Sequence, residues 1–138
     1  MFKKILCILI VLSLFSYCQL FKERPVISSL ENTSITTIIY ISENGDMLTF
    51  LENYNEAEIL SYLHLCKEKF TLSRVNEGYP LSDYTLMISL NDSNAKEFKT
   101  VLLGENAGYS YSNFGGFKYN ILESDKHTKK ILELLCLE

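Results

Sequence analysis

The sequence predicts an α+β domain: a two-layer sandwich, an antiparallel sheet with two helices on one face, in the order β-β-α-β-β-β-β-α. Three observations carry this. Several short stretches alternate apolar and polar residues with the strand period of two, and the loops between them are too short for parallel crossovers. Two other stretches, 55–70 and 124–137, repeat apolar residues at helical spacing. Beyond an apolar leader about 120 residues remain, enough for one domain with one core.

The leader comes first. Lys3 and Lys4 precede an apolar run, Ile5–Phe15, broken only by Ser13, and no acidic residue occurs before Glu23. That is the layout of a secretory signal. The run falls short of the roughly 20 apolar residues of a spanning helix, although Phe2–Leu20 taken whole approaches that length. It ends Leu14-Phe15-Ser16-Tyr17-Cys18. This ending resembles the lipobox of bacterial lipoproteins, in the looser form found in spirochaetes, with Tyr17 where a small residue is usual. The resemblance covers only the first eighteen or so positions. It implies acylation of Cys18, cleavage just before it, and a place in the cell envelope, on the outer membrane or the periplasmic face. Two or three acyl chains anchor a protein stably where one binds marginally. An ordinary leader cut nearby, releasing an unlipidated secreted domain, is the alternative.

Gln19–Thr33 is expected to be a tether, charged at Lys22, Glu23 and Arg24 and then carrying Pro25. The expected division is therefore leader 1–18, tether 19–33 and a single domain 34–138. The domain opens on a hairpin, 34–51, around Asn44-Gly45, the preferred pair for a two-residue type I′ turn. That turn would pair Ile41 with Leu48 and Ile39 with Phe50 on the core side. Asn55 caps a helix expected over 55–70, with Glu58 completing a capping-box pattern. Its stripe is Ile59, Leu60, Leu63, Cys66 and Phe70, which leaves His64 at the surface. Thr71–Leu81 is a linker. Tyr84, Leu86, Ile88 and Leu90 form the buried face of a strand, and Glu97–Leu103 returns beside it. Tyr109–Asn113 and Phe117–Leu122 make a further pair around Gly115-Gly116. Ser124 or Asp125 caps the last helix, with Thr128, Ile131, Leu132 and Leu135 on its inner stripe.

The chain carries 13 basic and 17 acidic residues, a net charge of −4, which becomes −6 once Lys3 and Lys4 leave with the leader. That balance fits neither nucleic acid, which needs a basic face, nor electrostatic attachment to anionic lipid. Cys66 and Cys136 remain as an even pair in an oxidising compartment that permits a bridge. Neighbouring helix axes 8–10 Å apart disfavour that bridge, so two free thiols are expected.

Motifs for chemistry are sparse. There is no G-x-S-x-G, no C-x-x-C and no H-E-x-x-H, and the glycines follow no phosphate-cradle pattern. No cofactor, metal site or catalytic residue is assigned. Cys66 lies on an apolar stripe, which argues against a reactive thiol. His64 and Cys66 sit about 200° apart on a helix and cannot share a metal ion. One segment has the composition of an adaptable contact surface, Gly108–Phe117, with Tyr109, Tyr111, Phe114 and Phe117 as candidate binding residues. Their bland alternative is to roof the sheet core, as aromatic strand residues often do. The expected function is a membrane-anchored envelope lipoprotein with a non-catalytic binding, adaptor or inhibitor role, its partner an envelope or host protein. The alternative is a small envelope hydrolase working through acidic residues scattered near strand ends, among them Glu77, Asp83, Glu97, Glu105 and Glu123. A concave cleft with convergent acids would favour the hydrolase.

Overall fold

In the computed structural model, which describes residues 1–50, 52–74, 83–94, 96–113 and 116–137, the alternating stretches become strands of one curled antiparallel sheet. The helix α1 (Phe2–Leu20) comes first, and none of its residues is buried. By length and composition it is able to cross a membrane, a property that secretory leaders near an N-terminus share. There follow β1 (Arg24–Pro25), β2 (Thr33–Ile41), β3 (Met47–Phe50), α2 (Glu56–Leu65) and β4 (Lys67–Arg74). The chain continues through β5 (Leu86–Asp92), β6 (Glu97–Leu103), β7 (Gly108–Ser112), β8 (Phe117–Ile121) and α3 (Ser124–Leu134). The strands lie in the order β1-β4-β8-β7-β6-β5-β2-β3.

The α+β class therefore stands, while the element order changes in two places. The helix expected over 55–70 starts as expected, with Asn55 accepting from the Glu58 N–H at 3.2 Å, but ends at Leu65. Cys66 is already extended, and 67–74 is a strand. The physical reason lies in the pattern after Leu65: Glu68 and Phe70 alternate with Lys67, Lys69 and Thr71, a period of two. As a strand this segment pairs with β1 on one side and β8 on the other. Part of the segment expected as a tether is also structured. Arg24–Pro25 pairs with β4, and Val26 and Ile27 are buried. Most of the expected linker, 75–81, lies outside the described residues.

The hairpin forms with a different turn. Gly45 N–H donates to Ser42 O and Ser42 N–H to Asp46 O, both at 2.9 Å, so the loop has three residues, Glu43–Gly45. The Asp46 N–H also donates to Ser42 Oγ at 3.1 Å. A three-residue loop ending in a left-handed residue shifts the register by one. Observed partners are Ile41↔Met47, Tyr40↔Leu48, Ile39↔Thr49 and Ile38↔Phe50. Consequently Leu48 is exposed, and Phe50 packs against the core opposite the fully buried Ile38.

Register defines the inner face. Leu86, Ile88 and Leu90 on β5 stand opposite Leu103, Val101 and Lys99 on β6. These apolar residues form one buried cluster with Ile59, Leu60 and Leu63 of α2 and with Ile131 and Leu135 at α3. His127 of α3 and Tyr62 of α2 join the two helices through a 2.7 Å hydrogen bond from the tyrosine O–H to Nδ1. Burial pushes the Tyr62 hydroxyl up to about 12 and pushes His127 below the usual histidine range; Glu123, Asp125 and the Leu122 carbonyl oppose the latter shift and Lys126 adds to it.

Two outcomes follow from these geometries. Gly45 has φ +86°, where a β-branched residue is strained, so Gly45→Val should lower stability by at least ~1 kcal/mol in urea melts. For His127, the unfolded chain takes up the proton first as pH falls below about 6.5. Stability should thus drop between pH 7 and pH 5. His127→Gln, which keeps a neutral acceptor for Tyr62, should make that loss smaller when melts at the two pH values are compared.

Candidate functional site

The alternation that makes 67–74 a strand places a carboxylate on its inner side. Glu68 is fully buried, and a charge removed from water needs partners. Arg24 Nε donates to Glu68 Oε1 at 2.9 Å and Lys99 Nζ to the same oxygen at 2.8 Å. Ser110 Oγ donates to Oε2. Lys99 Nζ also donates to Val26 O at 2.6 Å, which fastens the segment after β1 across the sheet. The same segment is held by Val26 N–H to Cys66 O, 2.9 Å, and by His64 Nδ1 donating to Ile27 O, 2.7 Å. His64 is thus a half-buried brace rather than the surface residue expected. Burial lowers the Lys99 ammonium below the usual lysine value, and the Glu68 charge pulls it back up.

Between this strap and the sheet lies a cavity of about 550 Å³, within the roughly 300–1,000 Å³ range of small-molecule sites. Glu68 and Lys99 border it on one side, with the Arg24 guanidinium stacked 3.6 Å above the Tyr119 ring. Phe70 and Phe117, whose ring centroids are 5.2 Å apart, supply apolar wall. Asp92 and Glu97 border it at the ends of β5 and β6.

The expected aromatic residues border two different hollows. Phe117 and Tyr111 border the cavity. Tyr109 lies at a second hollow, with Lys118 Nζ 4.0 Å from its ring centre and Tyr84 beside it. Phe114 lies outside the described residues. The serines opposite the tyrosines turn inward, Ser110 to Glu68 and Ser112 to the cavity. Cys18 is exposed on α1. Cys66 and Cys136 are free thiols. Cys66 is buried, donates to Tyr62 O at 3.3 Å, and burial pushes its thiol up to about 12, far from a thiolate at neutral pH. Of the scattered acids, Glu97 borders the cavity, Asp83 and Glu105 border the second hollow, and Glu77 is outside the described residues.

Sequence reasoning missed Arg24, Glu68 and Lys99. The available signal was the alternation Lys67-Glu68-Lys69-Phe70, which puts an acid beside an aromatic on one strand face.

Comparison with known proteins finds no match, whether among family models, curated proteins or solved structures.

Glu68→Gln keeps the shape of the side chain and removes the charge that Lys99 faces. It should cost about 3 kcal/mol in urea denaturation, toward the low end for breaking a buried pair, because the Lys99 side chain stays 22 % exposed. Adding Lys99→Met should recover part of that loss.

Proposed function

We propose that the chain is a membrane-anchored envelope lipoprotein, held by an acylated Cys18, whose domain binds a small ligand without transforming it. The observation that carries this reading is the position of the cavity: its wall begins at Arg24, six residues after Cys18. Six residues reach at most about 20 Å, so a cleaved and acylated chain keeps the cavity against the bilayer surface. In this reading α2 and α3 form one layer over the inner face of the sheet, supported by their shared core cluster with Leu86, Ile88 and Val101. The strap fills the remaining end. A binding role is supported over hydrolysis by the state of the best-buried acid. Both oxygens of Glu68 accept hydrogen bonds, two of them from cations, which suits a fixed structural charge better than a general acid.

Cells grown with a clickable fatty-acid analogue should incorporate it into this protein, and Cys18→Ala should abolish the label. A mature N-terminus downstream of Cys18, free of lipid, would overturn the anchor.

A further inference from the structure

Resting on the binding role proposed above, we infer that the cavity takes a short peptide of about three residues with both termini free. The first reason is the sign of the charge at each end. At the strap end Glu68 meets two cations, Arg24 and Lys99, which leaves a net charge of +1. Lys99 is committed to Glu68 and to Val26 O. Arg24 uses Nε on Glu68, lies flat on Tyr119, and is half exposed. Its two Nη groups therefore remain as a rigid fork at the cavity, the geometry that receives a carboxylate with two parallel hydrogen bonds.

The other end has the opposite sign. Asp92 and Glu97 are direct partners across β5 and β6, and both border the cavity. Both carboxylates are negative, so a ligand ammonium placed between them is attracted to both. Asp92 Oδ1 already accepts from the Asn94 N–H at 3.0 Å, which holds that carboxylate in place.

The spacing selects the ligand. Glu97 precedes Lys99 by two residues on one strand face, about 7 Å, and the lysine side chain extends further toward Glu68. The two poles are on the order of 10 Å apart, the span of about three extended residues. Phe70, Phe117 and Leu90 lie along the cavity between them and suit an apolar central side chain. A simple anion would face Asp92 and Glu97, and an acyl chain would cover charges without pairing them.

The test uses the full chain in lipid nanodiscs and calorimetric titration with Ala-Leu-Ala, its N-acetylated form, its C-amidated form and the doubly blocked form. The free peptide should bind, and each single block should weaken binding at least tenfold. Arg24→Met should erase the penalty for amidation while keeping that for acetylation, and Glu97→Gln should do the reverse. Should Arg24→Met fail to fold by circular dichroism, Arg24→Lys keeps the charge without the fork and should lower affinity for the free carboxylate alone. Equal affinity for free and doubly blocked peptide, or no binding of Ala-Leu-Ala, overturns the inference. So does tighter binding of lysophosphatidylethanolamine, whose two charges are adjacent. Fatty-acid labelling of Cys18 is read separately, so loss of peptide binding with labelling intact rejects the ligand and leaves the anchor standing.

Discussion

A carboxylate with no access to water sets the terms for one half of this molecule. Glu68 sits on β4, and its three donors come from β1, β6 and β7. In a flat sheet β4 and β6, three positions apart in the strand order, would lie about 14 Å from each other. Lys99 nevertheless reaches Glu68 at 2.8 Å. The long lysine side chain covers part of that gap and the curl of the sheet covers the rest. Ionic pairing and sheet curvature are thus one constraint, and the cavity is the space the curl encloses under the strap.

The two ends of the inner face are closed by different means. At one end α3 is fastened by Ser124, whose Oγ donates to Gly104 O at 2.8 Å and Ala107 O at 3.0 Å, with Thr128 donating to Ser124 O. Gly108 is required there because a Cβ would collide with the Ser124 side chain. At the other end Val26 and Ile27 are buried and held by hydrogen bonds to Cys66, His64 and Lys99. The strap-and-ion-pair closure leaves the cavity of about 550 Å³ beside Glu68, Arg24 and Lys99.

Legibility in the sequence followed the locality of the interactions. The strand expected over 83–90 and found at 86–92, its return over 97–103 and the Asn55 cap were readable because neighbouring residues determine them. At the hairpin the residue needing positive φ was identifiable, but loop length was not, since Asn44-Gly45 serves both a two-residue turn and the αL end of a three-residue loop. Glu68 was not singled out, because an acid between two lysines carries no local sign of burial, and its burial depends on Arg24, Lys99 and Ser110, 44, 31 and 42 residues away. The aromatic segment was read correctly as a strand, while attention to its tyrosines obscured that its serines face inward.

The placement of β1 has a mechanical consequence for any chain held at its N-terminus. Tension applied through residue 18 arrives first at a two-residue strand at the sheet edge, paired with β4 at Arg24↔Glu68 and Pro25↔Lys67. Behind it stand the Arg24–Glu68 ion pair and the bonds that hold Val26. A pull from that side is therefore borne by the groups that shape the cavity mouth before any of it reaches the buried core. Such a load reaches the strap before the central strands, each of which is paired on both sides.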